Sequence, residues 1–148
     1  MYLDSDKYTS VGAGDDGKYK TSLNFEPLLT SAVNSVNDGE SSIIYQTTGH
    51  NELDLSSSIQ TAILRDNYTL KDLSLLNLDT VPEDADIVLI NAPTSDFSKE
   101  DCDKIRTYIE NGGNVYFIME ATIVLENLEN LMETYGIRAE DGIVMEQD

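Results

Sequence analysis

An α/β sandwich built on a parallel sheet is the fold this sequence predicts, and three observations predict it. Short apolar runs alternate with stretches of helical periodicity, the pattern of right-handed βαβ crossovers. One run, Ile87-Val88-Leu89-Ile90, is apolar without interruption, as a central parallel strand covered on both faces must be. Between the runs stand turn and cap signals rather than a repeat or a low-complexity tract.

Residues 1–23 are weakly patterned and read as an N-terminal extension or the end of a preceding domain; residues 24–148 are expected to form the α/β domain. Asp15-Asp16-Gly17-Lys18 is a turn signal that short strands can flank. The first helix is expected over 24–37. Phe25, Leu28, Leu29, Ala32, Val33 and Val36 fall on one helical stripe, Asn24 caps it and Asp38-Gly39 ends it. The first strand follows at 42–47, and its exit loop holds the chain's one histidine, His50.

Asp54 or Ser56 then caps a helix whose apolar face is Leu55, Ile59, Ala62 and Ile63. A second strand is expected at 68–74 and a third at 86–91, joined by a connection that Val81-Pro82 keeps from being a regular helix. Ser98 caps the next helix, with Asp101 three residues on in a capping-box arrangement and Cys102, Ile105 and Ile109 on its apolar face. Asn111-Gly112-Gly113 closes that helix, and a fourth strand is expected at 114–119. Leu125, Leu128, Met132 and Tyr135 mark a last helix, and 143–146 a fifth, edge strand. The expected order is flavodoxin-like, 2-1-3-4-5, with the switch point between the first and third strands.

Nine Lys and Arg against 28 Asp and Glu give a net charge of −19. Such a chain repels phosphate backbones and anionic headgroups, which disfavours nucleic acid and membrane surfaces as partners. Solubility is the plain reading of this acidity, and attraction of cations or basic partners the functional one. No apolar run approaches the roughly 18–20 residues of a membrane span, and the sequence opens without a basic and apolar leader. It reads as an excised piece of a longer protein.

The loops at the switch point carry the candidate site. Thr48, Gly49, His50, Asn51 and Glu52 face Asn91, Pro93 and Thr94, with Glu120 arriving from the fourth strand. This set suits a small polar or sugar-like ligand. Equally, His50 and Glu52 can serve only to cap the helix and tie the loop down.

No catalytic motif accompanies the site. A hydrolase or amidotransferase needs an exposed Ser or Cys on a tight strand-to-helix turn beside a base. Here the third strand exits into Ala92-Pro93-Thr94-Ser95, and Cys102 falls on an apolar helix stripe. One His, one Cys and no Cys-x-x-Cys give no metal pattern. The acidic runs Glu83-Asp84-Ala85-Asp86 and Glu100-Asp101-Cys102-Asp103 lack calcium-loop spacing and read as solvated helix starts. Val11-Gly12-Ala13-Gly14 lacks the strand and helix that a dinucleotide loop requires, so no cofactor is expected.

Three motifs in order carry a family resemblance: Ile44-Tyr45-Gln46-Thr47-Thr48-Gly49-His50-Asn51-Glu52, then Pro82-Glu83-Asp84-Ala85-Asp86-Ile87-Val88-Leu89-Ile90-Asn91-Ala92-Pro93, then Tyr108-Ile109-Glu110-Asn111-Gly112-Gly113-Asn114-Val115-Tyr116-Phe117-Ile118. Over about residues 24–146, the chain resembles the auxiliary-component domain of uncharacterised bacterial ABC-type transport systems, the family that includes the gliding-motility component GldG. The resemblance implies a fold similar to class I glutamine amidotransferases without their catalytic cysteine. It implies a soluble domain on the outer face of the cytoplasmic membrane, anchored by spans outside this region and working beside a permease and an ATPase. The family lends no catalytic residues. The expectation is therefore a non-enzymatic binding or interaction module. The rival expectation is a divergent hydrolase using His50 with Glu52, Ser95 or Glu120.

Overall fold

The computed structural model describes residues 9–13, 19–23, 41–120 and 122–138. Its centre is a parallel sheet. The first two strands, β1 (Thr9–Ala13) and β2 (Tyr19–Leu23), pair antiparallel in a sheet of their own, as strands that flank the turn signal, whose residues 15–18 lie outside the described ones. The sheet itself holds β3 (Ile43–Thr47), β4 (Thr69–Leu73), β5 (Ile87–Asn91) and β6 (Asn114–Ile118). Their order is β4-β3-β5-β6, all pairs parallel. The flavodoxin-like α/β sandwich is thus present with four strands rather than five among the described residues. The fifth strand expected at 143–146 and the helix expected over 24–37 lie outside those residues.

Three α-helices among the described residues connect and flank the strands. Helix α1 (Ser57–Arg65) starts where the Ser56 hydroxyl accepts a hydrogen bond from Ile59 N at 3.4 Å. Helix α2 (Lys99–Glu110) starts at Ser98, whose hydroxyl accepts from Asp101 N at 3.0 Å and donates to Asp101 Oδ2 at 2.7 Å. Helix α3 (Glu126–Thr134) follows β6.

Parallel register decides which side chains share a face. Ile43, Tyr45, Leu73, Val88, Ile90, Val115 and Phe117 point one way, onto Cys102 and Ile105 of α2 and Leu128 and Leu131 of α3. Phe97, Leu75, Val81 and Leu125 complete this core from the connections. Burying a side chain of this size stabilises by about 1.5–3 kcal/mol, so these dozen or so residues dominate the stability of the described unit.

Three expectations are corrected. Helix α1 buries none of its residues, and Ile59 is 48% exposed; the apolar residue that is buried there is Leu55, ahead of the helix. Tyr135 stands beyond the end of α3 and is exposed, while Leu131 takes the buried position. The acidic run 83–86 starts no helix. It is a turn tied to β3 and β4: Asp86 Oδ2 accepts from Ile43 N at 2.7 Å, and Asp84 accepts from Tyr45 Oη at 3.0 Å and Lys71 Nζ at 2.8 Å. Those side-chain hydrogen bonds, Lys71's first, hold the Asp84 carboxyl below its ordinary range.

Candidate functional site

The two loops at the switch point are closed onto each other by their backbones. Leu53 N donates to Asn91 O at 3.0 Å, and the His50 carbonyl accepts from both Thr94 N (3.1 Å) and Ser95 N (2.9 Å). Side chains reinforce this. Asn51 Nδ2 donates to Ser95 Oγ at 2.7 Å, and buried Asn91 and Gln46 both donate to the Leu53 carbonyl. Two residues of the first loop are left-handed, Gly49 (φ 113°) and Asn51 (φ 54°), residue types that accept that conformation most readily.

Inside this closure His50 is buried. Its ring stacks on Phe97 with centroids 3.7 Å apart and planes 9° from parallel. Nδ1 lies 3.4 Å from Glu52 Oε1, and Nε2 lies 3.6 Å from Asp101 Oδ2. Glu52 also receives the His50 backbone N–H at 2.7 Å. Both ring nitrogens therefore face carboxylates that are themselves buried.

Asp101 joins the site to α2. Beyond His50, its oxygens accept from Ser98 Oγ and, at 3.3 Å, from Lys104 Nζ. Burial by itself raises the Asp101 pKa, but hydrogen bonds from Ser98 and Lys104 and the charges of Lys104 and His50 outweigh it, leaving the carboxyl below its ordinary 3.8. Lys104 is the mirror case. Burial lowers its pKa, and its contacts with Asp101 and Glu100 more than restore it, so it sits above 10.5. Its third contact is the Leu75 carbonyl at 2.9 Å. Asp101 is thus one of the most buried charged groups described, and not the solvated helix start that the sequence suggests.

Of the nine residues expected at the site, the structure brings eight together. Thr48, Gly49, Asn51 and Thr94 lie toward its surface; Glu52 lies against His50, and Asn91 and Pro93 are buried in the facing loop. Glu120 is exposed after β6, and no hydrogen bond or ion pair among the described residues ties its carboxylate to the cluster. Sequence reasoning missed Phe97 and Asp96 and gave Asp101 only its capping role. The available signal was a lone aromatic in the polar stretch Thr94-Ser95-Asp96-Phe97-Ser98. Asp96 accepts from Asn127 N (2.8 Å) and Leu128 N (3.3 Å), so it caps α3 from the loop after β5.

This arrangement limits the chemistry. A histidine acting as a base needs a ring nitrogen turned to the hydroxyl or thiol that it deprotonates; here both face carboxylates. Those carboxylates sit on opposite nitrogens, so they do not converge on one metal ion, and no metal-binding group of three or more His, Cys, Asp or Glu exists among the described residues. The turn after β5, where a nucleophile would stand, presents Ala92 in a left-handed conformation (φ 46°). Cys102 is buried, and burial, with Asp96 and Asp101 nearby, pushes its thiol up to about 11. A depression of about 440 Å³ lies at the other end of the sheet, lined by Val81, Pro82, Ala85, Tyr108, Gly113 and Asn114 among others. A Cβ on Gly113 would overlap the Tyr108 ring there.

Fold and site together define a parallel α/β domain whose switch-point loops are tied down by a buried ionic cluster. The family model described as "ABC-type uncharacterized transport system" matches residues 38–148, and the chain belongs to this family of auxiliary components of ABC-type transport systems. No curated protein and no solved structure gives a significant match. No helix among the described residues is long and apolar enough to cross a membrane.

Proposed function

We propose that this chain is a non-catalytic binding or interaction module of an auxiliary subunit resembling GldG, placed on the extracytoplasmic face of the bacterial cytoplasmic membrane. In this reading, segments outside the chain anchor it, and it works beside the permease and ATPase of its transport system. Family membership supports the transport role. The single observation that supports the non-catalytic reading is the commitment of both His50 ring nitrogens to buried carboxylates, Glu52 and Asp101. The same groups make His50 and Glu52 supports of the loop. A small polar or sugar-like ligand at the switch point then meets the exposed Asn51 and Thr94 and the half-buried Thr48.

Two measurements on one preparation test this. The full-length protein, co-expressed with its own permease and ATPase, is expected to co-purify with them from solubilised membranes. The chain is expected to hydrolyse ester, amide and glycoside substrates at the buffer rate, with His50→Ala indistinguishable from it. Turnover that His50→Ala abolishes would establish the hydrolase reading instead, and failure to co-purify would remove the transport module reading.

A further inference from the structure

The cluster beneath the switch point does not balance in charge unless one more proton is added to it. The side chains of His50, Glu52 and Asp101 are 6%, 5% and 2% exposed, and that of Lys104 is 11% exposed. Glu52 and Asp101 bring two negative charges into this enclosure and Lys104 brings one positive charge. Glu100 also touches Lys104, but it is 82% exposed, so water balances its charge. A charge held out of water without a partner is costly, and the enclosed set is short of one positive charge.

Three groups compete for the missing proton. Despite its burial, hydrogen bonds from Ser98 and Lys104 keep the Asp101 carboxyl below its ordinary range, so it stays ionised. Glu52 and His50 share the contact between Oε1 and Nδ1 at 3.4 Å, and an imidazole is a stronger base than a carboxylate by about two pKa units. The ring geometry agrees. A neutral imidazole carries one N–H and one bare lone pair. Each ring nitrogen here faces a buried carboxylate, so in either neutral tautomer the lone pair would point at a negative oxygen. An imidazolium turns an N–H to both. The remaining charge on the loop after β5, Asp96, is turned to the N–H groups of Asn127 and Leu128 instead.

We propose that His50 is an imidazolium in the folded protein and that its proton is a latch, closing the loop 48–52 onto α2 and releasing it when alkaline pH removes the proton. Loss of the proton leaves an excess negative charge enclosed and a lone pair against a carboxylate. Admitting water through the loop relieves both, because the side-chain ties that the loop makes to its neighbour run through the exposed Asn51 and Thr94. The proton favours the closed loop, and its contribution is lost as pH rises. At the acid end the carboxylates lose their charge instead, so the loop is closed in the window between. This device concerns the position of the loop and holds whether or not a ligand meets that surface.

His50 is the chain's one histidine, so nitrogen NMR of histidine rings reports it alone. At about pH 7.5 a free imidazole is mostly neutral. The native protein is expected to show both ring nitrogens protonated at that pH, and the chain in urea a neutral ring. Raising the pH until the native ring loses its proton should shift the amide signals of Gly49 and Asn51 with the same midpoint and leave those of α3 in place. Glu52→Gln removes the excess negative charge, so its ring is expected to be neutral at about pH 7.5, with Cys102 still protected from thiol reagents as a sign that the core is folded. The wild-type spectra decide the matter even where this variant does not fold. A neutral ring in the native wild type at that pH, amides of the loop that ignore the ring's titration, or a ring that keeps its proton in folded Glu52→Gln would each overturn the proposal.

Discussion

Replacing Asp101 by Asn tests whether the cluster under the switch point is held by charge. The substitution keeps the shape and removes the negative charge. In the folded protein this carboxylate is 1% exposed and accepts from Ser98 Oγ at 2.7 Å and Lys104 Nζ at 3.3 Å, with His50 Nε2 at 3.6 Å. A hydrogen bond to a charged group contributes about 1.5–3 kcal/mol. The amide oxygen keeps part of the Ser98 bond, while its NH2 adds a donor among donors, so the net loss should be about 2–3 kcal/mol. For a domain of this size, that lowers Tm by about 5–10 °C.

The pH dependence separates charge from packing. The folded pKa of Asp101 lies below its ordinary 3.8, so its charge contributes stability that is fully present above that value. The contribution is lost as pH falls through the lower, folded value. Urea denaturation of wild type and Asp101→Asn at pH 7 and down to pH 3 is the assay. The gap should be largest at neutral pH and begin to narrow as pH falls below the ordinary value of 3.8. Equal stability at pH 7, or a gap that persists undiminished in acid, would refute the reasoning.

Other outcomes follow from the same geometry. Asp96→Ala removes the cap from the first backbone N–H groups of α3; a loss of about 1–2 kcal/mol is expected in urea denaturation, with amide exchange of 127 and 128 accelerated first. Cys102, buried with its thiol pushed up to about 11, should resist a maleimide at pH 8 in the native protein. It should react with one equivalent once the protein is unfolded, and fast native labelling would contradict the burial.

The local grammar of this chain was legible because it depends on neighbours in sequence. Period-two and period-3.6 patterns located the four described strands of the sheet to within about a residue, and the caps at Ser56 and Ser98 formed as Ser side chains ahead of helical stripes do. The continuous apolar run at β5 marked the central strand because a side chain on either face of such a strand meets a packed layer. That no Gly-x-Ser-x-Gly or Gly-x-Cys-x-Gly elbow follows β5 is likewise a fact of sequence.

What the sequence left open were contacts between residues far apart along the chain. His50 meets Asp101 across 51 positions and Asp96 caps a helix that starts 30 positions later, and no periodicity encodes either pair. Asp101 obeys its local rule as a capping-box partner, and only the placement of β3 beside β5 turns the same carboxylate toward the histidine. Burial then decides the chemistry. In water, Glu52, Asp101 and Lys104 would each be solvated alone; enclosed around one imidazole and one phenyl ring, they must satisfy one another. The sequence by itself determined the strands of the sheet and the helix caps. The tertiary structure decided that the only histidine stands between loop and helix with a buried carboxylate at each ring nitrogen, because charged groups packed out of solvent bond to whatever the fold places within reach.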